Sequence, residues 1–300
     1  MRITQRSLAI NSLRGLNGNL AAVSKLQNQL TSGKTISAPS DDPTGTNTSM
    51  LTRQGMAGNA QQARNISDGH TFLDASDSAL QNMLDQVRRV RDLAVQALNT
   101  GSSSSASNVA IATEVNGVRD SLIAQANQVV QGKPIFGGVT SGNQAYGLDG
   151  TYVGVGGANG VPVHPVTRRV SDVEAIRVDI TGPEAFGDPQ SGKDLFAVVA
   201  NIASHVGDAT LLTTDLSDLD NVINGMTKAA ADIGTRSARM DDAATVNSSQ
   251  ALALQAKLSD TEDVDLPKTI MELQMQQTGY QAALSVTAKS LQPTLVDFLK

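Results

Sequence analysis

Hydrophobic residues recur at alternating steps of three and four along both ends of the chain. The N-terminal stripe consists of Leu13, Leu16, Leu20, Val23 and Leu30, with Gln27 in its one polar place. The C-terminal stripe consists of Leu266, Ile270, Leu273, Gln277, Tyr280, Leu284, Thr287 and Leu291, and continues to Leu295 and Phe298. This spacing predicts a coiled-coil helix at each end of the chain.

Each stripe is only about two residues wide per seven-residue repeat, so pairing the two helices leaves apolar edges uncovered. We therefore interpret the apolar residues of both stripes as an assembly interface that neighbouring subunits cover. A second hypothesis follows, that both ends are poorly ordered in the free monomer. Limited proteolysis of soluble monomer tests it, because the segments before Gly33 and after Asp265 should be cut before the middle of the chain.

The region between the two ends contains further helical patterns. Apolar residues predict one helix from Ile66 to Leu98 and a second from Ile111 to Val129, joined as an antiparallel hairpin by the serine-rich connection 101–108. Gly132 and Pro134 should end the second helix. Helical spacing returns from Asp194 and again over 215–258, whereas residues 44–64 show too thin a stripe for assignment.

Half of the 26 glycines fall between residues 132 and 192, which argues against helix there. Alternating apolar positions predict short strands at 161–166 and 176–180. The expected fold is mainly α: a rod of long antiparallel helices with a small β-rich insert. The expected divisions are listed in chain order: a terminal coiled-coil segment 1–40, a rod segment 41–131, the insert 132–193, a rod segment 194–264 and a terminal coiled-coil segment 265–300.

The composition of the chain argues against several classes of function. A net charge of −6 and a pI near 5.0 give no long-range attraction for nucleic acid or an anionic membrane surface. No apolar run reaches the length of a membrane span, and the first twenty residues do not have the pattern of a cleavable secretory signal. Without cysteine, and with three scattered histidines, no catalytic site, metal site or cofactor site can be assembled.

One short motif leaves an enzyme as an alternative. Residues 187–194 have the glycines and the lysine of a phosphate-binding loop, but Asp194 stands where a hydroxyl should bind magnesium. A turn whose Asp194 caps the next helix explains the same residues. Titration with ATP and magnesium separates a nucleotide-binding enzyme from a structural protein.

Several segments in order resemble the flagellin superfamily of axial proteins, and its junction-protein branch in particular. The N-terminal resemblance lies in Gln29-Leu30-Thr31-Ser32-Gly33-Lys34-Thr35-Ile36 and Pro39-Ser40-Asp41-Asp42-Pro43. The later segments are Asn127 with Gly132-Lys133-Pro134-Ile135-Phe136-Gly137-Gly138, Asp263-Val264-Asp265-Leu266, Tyr280-Gln281-Ala282-Ala283-Leu284 and Leu295-Val296-Asp297-Phe298-Leu299. Thr35 departs from the pattern, because a basic residue usually follows the Gly-Lys pair there.

The resemblance implies a structural subunit at the hook-filament junction, outside the cell, reached through the flagellar type III export apparatus. The partners that it implies are further copies in a ring, the hook-associated protein FlgK, flagellin, and an export chaperone of the FlgN type. Flagellin itself is the alternative within the same superfamily. The two flanking prolines and the Gly-Lys-Pro-Ile-Phe segment favour the junction branch.

Overall fold

The computed structural model describes residues 5–99, 104–158 and 160–291 of the chain. Seven α-helices lie within these ranges: α1 (Gln5–Ser32), α2 (Pro43–Asn99), α3 (Ser105–Ala126), α4 (Gly182–Phe186), α5 (Leu195–His205), α6 (Ala209–Glu262) and α7 (Leu266–Leu291). Four short strands lie between α3 and α4: β1 (Val129–Val130), β2 (Lys133–Pro134), β3 (Thr167–Arg169) and β4 (Ala175–Arg177). The mainly α fold with a small strand-containing insert is therefore confirmed.

The chain divides into two compact units. The terminal unit comprises residues 1–58 and 250–300, and the central unit comprises residues 59–249. The terminal unit contains α1, α7, the start of α2 and the end of α6, whereas the remaining elements belong to the central unit.

The hydrophobic core of the central unit lies among α2, α3, α5, α6 and the insert. Its helices contribute fully buried residues such as Leu80, Leu122 and Ile202. The insert and α5 together form an aromatic cluster, in which the rings of Tyr146 and Phe196 lie 4.6 Å apart. Aromatic side chains are few in this sequence, and those of the insert are concentrated in one core.

Local sequence determines where several helices begin. Asp42 accepts hydrogen bonds from the backbone N–H groups of Thr44 and Gly45, and Pro43 is the first residue of α2. Asp194 accepts from the backbone N–H of Phe196 and caps α5, as predicted. Carboxylates satisfy backbone donors that a helix leaves unpaired in its first turn.

The helical hairpin is present, but α3 begins six residues before the predicted helix and ends three residues before its predicted end. An ion pair of 2.7 Å joins Arg89 of α2 to Glu114 of α3, as expected for antiparallel neighbours. Residues 100–103 of the connection lie outside the described residues. Helix α3 ends at Ala126, and Val129 belongs instead to β1, which pairs antiparallel with β2.

The strand predicted over 161–166 is wrong. Pro162 and Pro165 have no backbone N–H to donate to a sheet, and β3 begins only at Thr167. It pairs antiparallel with β4, with Arg168 opposite Ile176. Residues 44–64, unassigned from the sequence, belong to α2.

The β3–β4 hairpin is attached to the long helices of the central unit by polar contacts. Asp68 of α2 pairs with Arg168 at 2.6 Å, and Arg239 of α6 pairs with Glu174 at 2.7 Å.

An ion pair also joins β4 to the short helix α4. Burial raises the pKa of the Glu184 carboxyl, but hydrogen bonds from Arg177 and Thr181 outweigh that effect and lower this pKa to about 2.

Candidate assembly site

The residues that the structure describes in the terminal unit form almost no hydrophobic core of their own. Among the described residues, Val23 is the one buried hydrophobic residue outside the central unit. Folding of a domain depends chiefly on buried apolar surface, and here that surface is concentrated in residues 59–249. The described part of the terminal unit therefore lacks the main source of stability that the central unit possesses.

Helices α1 and α7 pack against each other as an antiparallel pair. The backbone N–H of Val264, just before α7, donates to the carbonyl oxygen of Gly33, just after α1, at 3.1 Å. Further along, the amide of Gln276 donates to Asn19 at 3.3 Å. These two contacts give the pair its direction and its register.

We call the less exposed residues along which α1 and α7 face each other the seam. At every second position, the seam uses the residue one place before the one that the predicted stripe contains. On α1 it contains Leu16, Val23 and Leu30 as predicted, but Ser12, Asn19 and Leu26 take the places expected for Leu13, Leu20 and Gln27. On α7 the less exposed residues follow the same rhythm: Thr269, Leu273, Gln276, Tyr280, Ala283 and Thr287.

The residues predicted for the assembly interface therefore fall into two groups. One group lies within the seam and is buried or half-buried: Leu16, Val23, Leu30, Leu273 and Tyr280. The other group remains exposed: Leu13 (55%), Leu20 (51%), Leu266 (49%), Ile270 (45%) and Leu284 (42%). The side chain of Leu291, together with Leu295 and Phe298, lies outside the described residues.

A turn after α1 links the N-terminal segment of the terminal unit to its C-terminal segment. Gly33 has φ of +68°, a left-handed conformation that glycine adopts without strain and that ends α1. The backbone N–H of Thr35 then donates to the carbonyl oxygen of Glu262 at 2.6 Å, and its hydroxyl donates to the carbonyl oxygen of Asp263. Where a basic residue was expected, the Thr35 side chain thus contributes one hydrogen bond at the end of α6, beside the bond that its backbone N–H makes.

An ionic cluster surrounds this turn. The guanidinium of Arg53 donates two hydrogen bonds to the carboxylate of Glu262, at 2.6 and 3.1 Å, and Lys34 pairs with Asp263 at 2.5 Å. The hydrogen bonds from Arg53 lower the pKa of Glu262, and the hydrogen bond from Lys34 lowers that of Asp263. Two planar hydrogen bonds between one guanidinium and one carboxylate fix the relative positions of α2 and α6 within this unit.

The roles of Arg53 and Glu262 were not predicted from the sequence, where Glu262 is one of four acidic residues between positions 260 and 265, just before α7. Of these four, Asp265 is the one that caps α7, accepting from the backbone N–H of Lys268 at 3.1 Å. The charges of Arg53 and Glu262 do not by themselves indicate that the two residues pair, because they lie 209 positions apart in the sequence.

The possible phosphate-binding loop has no free lysine. Lys193 forms an ion pair of 2.9 Å with Asp218, and the loop follows the short helix α4 instead of a strand. No cluster of three metal-ligating side chains occurs in the part of the chain that the structure describes. None of the described helices has a stretch long and apolar enough to cross a membrane.

Comparison with known families accounts for both ends of the chain. Residues 3–141 match the bacterial flagellin N-terminal helical region, and residues 216–299 match the bacterial flagellin C-terminal helical region. Together these matches take in 223 of the 300 residues, in the family's order. The chain belongs to the flagellin family. It is thereby a structural component of the bacterial flagellum.

Individual members of the flagellin family are similar along nearly the whole chain. Flagellar hook-associated protein 3 of Escherichia coli is 26% identical over 308 residues, covering 94% of this chain and 95% of the relative. Flagellin of Bacillus subtilis is 25% identical, covering 97% of each. The crystal structure of the flagellar junction protein FlgL from Legionella pneumophila has a TM-score of 0.58 at 14% identity, covering 72% of this chain and all of that one.

Proposed function

We propose that this protein joins the hook to the filament of the bacterial flagellum, and that it assembles through the paired helices α1 and α7. The observation that carries the proposal is the near absence of a hydrophobic core among the described residues of the terminal unit, combined with the exposed aliphatic residues on its helix pair, which include five of those predicted for the interface. Large apolar side chains that one chain leaves in water are typical of an interaction surface.

The exposed residues represent a substantial association free energy. Complete burial of a leucine or isoleucine contributes about 1.5 to 3 kcal/mol, and roughly half of that remains available at half exposure. Leu13, Leu20, Leu266, Ile270 and Leu284 together would then contribute about 4 to 7 kcal/mol per copy, before the cost of ordering is subtracted. Many copies in a closed ring or helical array add such contributions at every contact.

Membership of the family leaves the filament subunit, flagellin, as the alternative. The segment Gly132-Lys133-Pro134-Ile135-Phe136 favours the junction subunit, because it resembles the junction branch at the end of the helical hairpin. In the structure this segment forms β2 and leads into the buried Phe136. The relatives named hook-associated protein 3 support the same choice.

The partners and the location follow from this function. We expect the chain to contact further copies of itself in a ring, FlgK on the hook side and flagellin on the filament side. Before assembly, a chaperone of the FlgN type would shield α7, and the flagellar type III export apparatus would carry the chain out of the cell. Exposed Met271 and Met275 on α7 suit such a chaperone contact, since flexible methionine side chains adapt to different partners.

A deletion strain tests the proposal against its alternative. Loss of a junction subunit should leave hooks intact while flagellin accumulates in the medium, and plasmid-borne expression of this chain should restore filaments. Immunogold labelling of the restored flagella should place the protein at the hook-filament boundary. Label distributed along the filament would identify the chain as flagellin instead.

A further inference from the structure

The α1–α7 pair has two different flanks. Because the helices run in opposite directions, equivalent positions of their seven-residue repeats lie on the same side of the pair. One side, the leucine flank, carries Leu13 and Leu20 from α1 with Ile270 and Leu284 from α7. All four side chains are between 42% and 55% exposed.

The opposite side, the glycine flank, has small residues at its middle, whereas Gln29, Glu272 and Val286 occupy the equivalent repeat positions on either side of that middle. It carries Gly15 and Ala22 from α1 with Gly279 from α7. Gly15 lies four residues before Asn19, and Gly279 lies three residues after Gln276. The hydrogen bond between Asn19 and Gln276 therefore brings the two glycines to the same level of the pair.

Nothing within the described chain requires these glycines. A Cβ atom added at Gly15 or at Gly279 would meet no heavy atom within 4 Å, and both residues lie inside helices without a positive φ. Glycine inside a helix is unfavourable relative to alanine, because it loses more backbone entropy on folding. A notch that the chain does not use is what the close approach of another molecule needs.

We infer that the leucine flank of one copy packs into the glycine flank of the next copy. This inference rests on the proposed function, which requires contacts between copies. Large side chains on one flank and a notch at the middle of the other are complementary in shape, whereas two leucine flanks facing each other would close as a two-fold pair and could not continue to a third copy. A contact between different surfaces of identical subunits continues from copy to copy and produces rings or helical arrays.

Cysteine cross-linking in assembled flagella tests this polarity. The chain has no cysteine, so introduced residues are its only thiols. The leucine flank is marked by Leu20→Cys. Each double variant adds one cysteine on the glycine flank, at Gly15, Ala22, Gln29 or Gly279, so that different axial offsets between neighbours are sampled. Leu20→Cys alone and Ala22→Cys alone are the matched controls.

At least one double variant should give a ladder of dimers, trimers and larger species on oxidation, and both single variants should remain monomeric. Dimers from Leu20→Cys alone would overturn the inference, because like flanks would then meet. So would the absence of cross-linking in every double variant that is present in flagella. If the cysteine-free chain itself is absent from flagella, the proposed function fails, and the inference fails with it.

Filling the notch provides a second measurement that does not depend on cysteine. Gly15→Leu and Gly279→Leu should leave the circular dichroism of the purified chain unchanged but lower its incorporation into flagella at least tenfold. Gly234→Leu is the control, since a Cβ at this helical position on α6 also meets nothing within 4 Å. Normal incorporation of both notch variants would overturn the inference.

Discussion

Replacing Asn247 with alanine should destabilise the central unit, because Asn247 forms a buried polar contact with Asn59 between α6 and α2. Both residues are buried, and the Asn59 amide donates to the Asn247 carbonyl oxygen at 3.0 Å. The Asn247 amide donates in return to the carbonyl oxygen of Asn59 at 3.0 Å and to its side-chain oxygen. The substitution removes both of the latter bonds and leaves the Asn59 side-chain oxygen buried without a donor.

The magnitude follows from these bonds. Each lost hydrogen bond removes about 0.5 to 1.5 kcal/mol of stability, and a buried acceptor without a donor costs about 1 to 3 kcal/mol. The loss of the bonds and the cost of the unpaired acceptor overlap, so they do not add in full. Alanine also favours helix over asparagine, which recovers about 0.5 kcal/mol of stability. A net loss of about 2 kcal/mol is expected, equivalent to a fall of roughly 4 to 8 °C in the unfolding temperature of a unit of this size.

Unfolding of the full chain in guanidinium chloride, followed by near-ultraviolet circular dichroism, measures this loss. The signal reports chiefly on the central unit, which contains Tyr146 and Tyr152 and lacks tryptophan. Asn224→Ala at an exposed site of α6 is the control and should change stability by less than about 0.5 kcal/mol.

The double variant Asn59→Leu with Asn247→Leu distinguishes a buried polar contact from simple packing. Replacing both partners with apolar groups removes the unsatisfied acceptor, so the double variant should be close to the wild type or more stable. The reasoning would be refuted if Asn247→Ala behaved like the control, or if the double variant lost as much stability as the single one.

Three further predictions concern charge and assembly. Because Glu262 has a lowered pKa, its ion pair stabilises the fold above pH 4.5, so the difference in thermal stability between the wild type and Glu262→Gln should shrink as the pH falls below 4.5. Glu184, with its pKa lowered to about 2 against an ordinary 4.5, should titrate near that value by NMR, and its stabilising effect should be complete above pH 4.5 and disappear as the pH falls towards 2. Leu20→Asp should leave the unfolding temperature of the central unit unchanged within about 1 °C but prevent incorporation into flagella, as a motility and immunoblot assay would show.

The helices were predictable because the signals that define them are local. Asp194 before an apolar stripe identifies a helix start that the structure reproduces, and the local pair Asp42-Pro43 likewise stands at the start of α2. The stretch 44–64 could not be assigned, because its buried positions include Ser49 and Thr52 instead of large apolar residues. Their hydroxyls donate to backbone carbonyl oxygens of α2 itself, so the helix continues without an apolar stripe.

The terminal helices show why a repeat pattern does not determine which residues face the partner helix. Leu16 and Val23 belong to two overlapping patterns, one completed by Leu13 and Leu20, the other by Ser12 and Asn19. The more hydrophobic pattern is the natural prediction, but the structure uses the other. A polar bond with Gln276 satisfies Asn19 within the seam, which leaves the leucines exposed on a flank.

Roles that depend on distant partners could not be predicted. Arg53 and Glu262 are joined only when the two ends of the chain come together, and no local pattern indicates their pairing. The exposed glycines present the same difficulty. Their lack of neighbours becomes visible only once the α1–α7 pair is built.

Hydrogen exchange measured on the same chain before and after assembly tests the central claim most directly. In the purified monomer, amides of α1 and α7 should exchange orders of magnitude faster than those of α2, α3 and α6 within residues 59–249, because the described residues of the terminal unit form almost no core. In isolated flagella, α1 and α7 should become as protected as the central unit. Equal protection of both units in the monomer, unchanged on assembly, would contradict the claim that neighbouring copies supply the burial that the terminal unit lacks.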